Sequence, residues 1–207
     1  MKKTGYLTAA LLLFAQPAFA MLPLTPATIQ AAQVYGTERK GASLGELLAP
    51  WTVYDRKQRN PYGLRERAVV YTPFLTAAVD ARQTAADGDT PSVPQGMKVA
   101  KQYDGVLALG LNLSTSVKLE PRNLKLRMYQ GRNVLEPYAC NLNSASQRDM
   151  QILNKNSGEL EDNNVWDLQY FVYFDLSKLD PQRIMVLAAT DEYAGTREFV
   201  LKLPAMN

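Results

Sequence analysis

From Trp166 onward the chain alternates for longer than anywhere else: Trp166, Leu168, Tyr170, Val172, Phe174 and Leu176 occupy every second position. A period of two places these side chains on one face of a strand, and no helix can present them together. Shorter runs repeat the pattern. Leu107, Leu109, Leu111 and Leu113 form one, and Leu124, Leu126 and Met128 another. Gly131-Arg132-Asn133 makes a turn before Val134 and Leu135. Ile184, Val186 and Ala188 follow, and then Phe199, Leu201 and Leu203. Turn-forming stretches separate these runs, notably 175–181 and 191–195. Several strands with no helix between them predict a mainly β fold, an immunoglobulin-like antiparallel β-sandwich over 99–207. The likeness is to architecture only, because Cys140 is the sole cysteine and the Cys–Trp–Cys hallmark is missing.

Residues 21–98 read differently, as a helical and loop segment packed on the strands. A short helix is expected over 28–34, ended by Gly36. Ser43 and Glu46 have capping-box spacing, and Pro50 keeps the helix they open short. Trp51, Val53 and Tyr54 read as core or interface anchors. A brief strand is expected over 68–71. Thr72-Pro73 then supplies an N-cap and first helical residue for a helix over 73–86. An edge strand is the competing reading there, since Val69, Tyr71, Leu75, Ala77 and Val79 also alternate. Pro91, Pro94 and Gly96 mark 87–98 as a linker.

The first twenty residues carry Lys2 and Lys3, an apolar run over 6–14, and Ala18-Phe19-Ala20 before Met21. That order of parts predicts a bacterial signal peptide over 1–20, and hence a periplasmic or secreted protein. No later segment has the ~20 apolar residues of a spanning helix. The chain has 23 basic and 20 acidic residues. Loss of Lys2 and Lys3 leaves it near neutral, which gives no electrostatic case for nucleic acid. A lone thiol forms no internal disulfide, so Cys140 is either a small buried residue or an exposed thiol that dimerises the protein.

The chain has no histidine. This excludes Ser-His-Asp and Cys-His catalysis and the usual zinc ligands. No Gly-rich phosphate loop or nucleophile elbow occurs, and no cofactor is expected. The acidic stretch Glu159, Glu161 and Asp162, with Asn154, Asn156 and Asp167, reads as a solvated loop. Two other roles stay open for it: calcium ligation in an adhesion module, and the acid–base pair of a small glycan hydrolase. The main candidate binding site is the basic loop holding Tyr54, Arg56, Lys57, Arg59, Tyr62, Arg65 and Arg67. Arginine beside tyrosine suits anionic glycans, phosphates or an acidic protein partner. Phe171 and Tyr173 share the other face of the longest strand. They form either an exposed patch or a second core under the 73–86 helix. Together these features predict a non-catalytic interaction or structural protein of the envelope with a protein or glycan partner.

Overall fold

The computed structural model describes residues 23–58, 60, 62–153 and 158–206. Residues 1–20, where a signal peptide is expected, lie outside this set, as do Arg59, Asn154 and Asn156. The described chain is mainly β, with two antiparallel sheets and four α-helices.

Helix α1 (Pro26–Glu38) is longer than the 28–34 expected. Thr25 caps it by accepting from Thr28 N, and Pro26 supplies the preset φ of a first helical residue. Gly36 does not end the helix. A Cβ there would lie 2.0 Å from the carbonyl oxygen of Ala78, so Gly36 is what lets α1 press against the next long helix. Helix α2 (Leu44–Leu48) has both capping-box bonds, Ser43 N to Glu46 Oε2 at 2.8 Å and Glu46 N to Ser43 Oγ at 3.2 Å. A 3-10 turn at Ala49–Trp51 carries the chain into strand β1 (Thr52–Tyr54).

Strand β2 (Arg67–Tyr71) leads into α3 (Pro73–Ala86), which settles the helix-or-strand choice. Thr72 Oγ1 accepts from Leu75 N, and Ala77, Ala78 and Ala81 are fully buried. These small side chains form a stripe only at helical spacing, and that stripe is what α1 covers. The linker expected over 87–98 is corrected. Its second half begins α4 (Val93–Lys101), capped by Ser92 with Pro94 in the first turn. Pro94 sits where a helix starts, so it was a start signal and not a breaker. Gln33 Nε2 donates to Ser92 O at 2.7 Å and ties α4 to α1.

The remaining strands are β3 (Val106–Thr115), β4 (Lys125–Gln130), β5 (Asn133–Leu135), β6 (Ala139–Leu153), β7 (Leu160–Asp175), β8 (Met185–Asp191) and β9 (Gly195–Leu201). One sheet has the order β1-β2-β3-β7-β6 and the other β5-β4-β8-β9. Strands from both sides of residue 98 therefore share a sheet. Register puts Val70, Leu109 and Val172 in one row, and Leu111 opposite Tyr170. Their buried face shares one core with Leu126, Met128, Leu187, Phe199 and Leu201 of the second sheet. The Tyr170 hydroxyl lies inside this core and donates to Leu119 O at 2.7 Å. The two sheets also meet at an edge, where Arg56 N donates to Glu198 O of β9.

Two further expectations change. The inner face of β8 is Met185, Leu187 and Ala189, all fully buried, whereas Ile184 is 55% exposed. Both parities of this strand are apolar, and pairing of Leu187 with Met128 and Phe199 decides which set turns inward. The acidic loop before Trp166 is in part strand. Residues 160–164 begin β7 and pair with 149–153 of β6, extending a long hairpin. Strand β6 itself is too polar to show an apolar period; it lies at the sheet edge, exposed along most of its length, with a bulge at Leu142/Ser144. Cys140 packs half-buried against the core, and burial pushes its thiol up to about 11. No described helix is long and apolar enough to cross a membrane.

Candidate functional site

The basic loop between β1 and β2 does not protrude freely. Three buried polar side chains fasten it to the sheets. Asp55 Oδ1 accepts from Glu198 N at 2.8 Å and from Lys57 N at 3.2 Å. Asn60 Oδ1 accepts from Tyr62 N, while Asn60 Nδ2 donates to Ser114 O at 2.9 Å. Glu66, just before β2, takes a two-toothed grip from Arg197, Nε to Oε2 at 2.9 Å and Nη2 to Oε1 at 3.2 Å. Arg197 Nη1 also donates to Asp191 Oδ2, and Asp191 Oδ1 closes the β8–β9 turn by accepting from Tyr193 N and Ala194 N. The side chains of Arg197, Glu66 and Asp191 are each no more than 2% exposed. A buried guanidinium between two carboxylates is tolerable only because every charge has a partner.

This framework disperses the expected cationic patch. Arg56 and Lys57 both pair with Glu198, whose carboxyl is held below its usual range by the Lys57 hydrogen bond and the neighbouring cations. Arg65 stacks on the Tyr54 ring at 3.7 Å, and Tyr62 is half-buried. Arg67 lies in β2 opposite Asn112 of β3. Of the described candidate residues, Arg65 and Arg67 alone line the polar trough on the outer face of the five-stranded sheet.

That trough, about 210 Å³, was not legible in the sequence. Antiparallel register builds it. Arg67, Asn112, Gln169 and Ser144 form one row across β2, β3, β7 and β6. Ser114, Asp167 and Ser146 form the next. Asp167 accepts from Ser114 Oγ at 2.7 Å and from Arg148 Nε at 2.6 Å. Burial opposes its ionisation, but these two hydrogen bonds and the Arg148 charge outweigh that and hold its carboxyl below the usual value. Gln169 Oε1 accepts from Asn143 Nδ2 at 2.9 Å.

The same face becomes aromatic towards the other end of the strands. Tyr71 meets Phe171 at 5.4 Å, Phe171 stacks on Tyr173 at 6.5 Å, and Tyr173 meets Tyr138 at 6.2 Å. Gly110 makes room for this, since a Cβ there would lie 2.7 Å from the Tyr71 ring. Helix α3 reaches the face at Tyr71, beside Thr76 and Val79, while Phe171 and Tyr173 stay half-buried and Tyr138 is 62% exposed. The face is thus neither a second closed core nor a bare patch. Burial raises the Tyr71 phenol, Tyr103 adds to the rise, and Arg67 offsets part of it. The Tyr71 hydroxyl is therefore a neutral hydrogen-bonding group at physiological pH.

The acidic candidates do not converge. Glu159, Glu161 and Asp162 are exposed towards the far end of the hairpin, and adjacent strand positions such as 161 and 162 point to opposite faces. Gln151 Nε2 donates to Asp162 Oδ1 at 3.1 Å. Asp167, held ionised by its partners, lacks the raised pKa of a general acid. Among the described residues no three His, Cys, Asp or Glu side chains are grouped to hold a metal ion.

The depressed carboxyls carry a pH prediction. A lowered folded-state pKa adds stability that is present above the unfolded value and lost as pH falls through the folded one. With no histidine to titrate near neutrality, the melting temperature should be flat from about pH 6 to 8 and fall below about pH 5. Asp167→Asn and Glu198→Gln should each shallow that acid slope. A steep change between pH 6 and 8 in thermal melts would contradict this.

No protein-family model, curated protein or solved structure matches the chain, so the reading of the site rests on its own geometry.

Proposed function

We propose that this is an exported, non-catalytic interaction or structural protein of the bacterial envelope, periplasmic or secreted, with a protein or glycan partner. Its two sheets are read as an immunoglobulin-like β-sandwich carrying short N-terminal helices, a scaffold that leaves sheet faces and loops free for binding. The observation that carries this reading is the outer face of the five-stranded sheet. Half-exposed rings and hydrogen-bonding side chains lie there on rigid strands, a composition typical of recognition surfaces. The residues at 1–20 support export.

Expression of the full chain with a C-terminal tag tests both parts. The expected result is release to the periplasm or medium with a new N-terminus at Met21, and recovery of a specific partner after cross-linking in envelope extract. Retention in the cytoplasm with the leader intact would overturn export. Hydrolysis of envelope glycans by the purified protein would overturn the non-catalytic reading.

A further inference from the structure

We propose that the outer face of the five-stranded sheet binds an acidic oligosaccharide, laid across β2, β3, β7 and β6 from the polar trough to the aromatic row. The inference rests on the binding-protein reading above and names the ligand class for the same face.

Three observations select this ligand. First, the trough offers amides and hydroxyls and no apolar pocket. Asn112, Gln169, Ser144 and Ser146 stand on three adjacent strands about 4.8 Å apart, a grid suited to the spaced hydroxyls of a sugar. A peptide would need pockets for side-chain anchors, yet Val69, Ala108 and Gly110 on this face are buried and small or covered. Secondly, the trough continues into Phe171, Tyr173 and Tyr138. Aromatic faces accept the C–H faces of pyranose rings, and the tyrosine hydroxyls bond to their substituents. Thirdly, the charge is unbalanced. Asp167 is neutralised by Arg148, while Glu66 and Asp191 share Arg197, which leaves one negative charge beneath the trough. Arg65 and Arg67 line the trough without an ion pair among the described residues. Two exposed or half-exposed guanidiniums outnumber that one buried negative charge and favour a sugar carrying carboxylate or phosphate, which arginine grips in two-toothed fashion.

The test is a printed array holding uronic-acid, sialic-acid and phosphorylated glycans beside neutral ones, probed with the intact protein. Binding is expected to acidic glycans only, weakening as salt rises. Arg65→Ala, Arg67→Ala and Gln169→Ala should each lower affinity by about tenfold, the scale of one charge-assisted or buried hydrogen bond. Tyr138→Ala, at an exposed position, should weaken binding without changing the melting temperature. Arg127→Ala on the other sheet should leave binding unchanged. If Arg67→Ala fails to fold, the exposed Arg65→Ala carries the charge test alone. Binding to no acidic glycan, equal binding to neutral ones, or binding indifferent to the face variants would overturn the proposal. Recovery of a protein partner from envelope extract with no glycan bound would sink this inference and leave the broader function standing.

Discussion

Replacing Arg197 with methionine is expected to be the most damaging single change away from the apolar core, costing about 3–5 kcal/mol of stability. The cost arises on the other side of the bond. Glu66 and Asp191 would stay buried with their charges uncompensated. For a chain of this size each kcal/mol is worth roughly 2–4 °C, so the melting temperature should fall by about 6–20 °C. The carboxylates, not the missing guanidinium, set the loss. The triple variant Arg197→Met, Glu66→Gln, Asp191→Asn should therefore recover much of it, because the amides keep the acceptors for Ser114 N and for the Tyr193 and Ala194 amides. Thermal and urea melts of the single and triple variants decide the matter. A single variant within about 1 kcal/mol of the parent, the range of an exposed pair, would show that the network is open to water in solution. Because Glu66 also holds Ser114, and Ser114 holds Asp167, the same substitution should loosen the floor of the trough.

Trp51→Ala should cost a similar amount, about 3–5 kcal/mol. Trp51 is 1% exposed, with the Tyr35 ring edge-on at 5.4 Å and the Phe74 ring stacked at 5.9 Å. It stands at the point where the helices join β1, so its removal empties the contact between helical layer and sheet. Trp51 Nε1 is buried and has no hydrogen-bond partner among the described residues. Trp51→Phe therefore sacrifices no hydrogen bond and should cost about 1–2 kcal/mol, a volume change alone. Circular dichroism melts separate the two. A Trp51→Ala protein that melts as stably as Trp51→Phe would show that the aromatic cluster contributes little. A two-step melt would show that the helices unfold apart from the sheets.

Helices α1, α2 and α3 and most of the strands were legible because their signals are local. Thr72-Pro73 and the Ser43–Glu46 box act within one helical turn, and the Leu107–Leu113 and Trp166–Phe174 alternations need only the period of a strand. Misreadings came where a local signal had two meanings. Pro94 opens a helix as readily as it ends one, Gly36 marks a close helix contact as readily as a stop, and β8 is apolar on both parities. The candidate site was legible only as a cluster of cations near tyrosines. Which of those cations are spent on ion pairs depends on residues far away in the chain.

What the sequence by itself determined was the inventory: strands with a buried face, capped helices, and a chain without histidine that must bind or react through other groups. The tertiary structure alone decided the partners. Glu66 meets Arg197 across 131 residues of chain, and Asn60 meets Ser114 across 54. Register alone brought Arg67, Asn112, Gln169 and Ser144 into one row. Such contacts are chosen by the packing of the whole core, which rewards a pairing only after the chain between has been ordered. No local pattern records them.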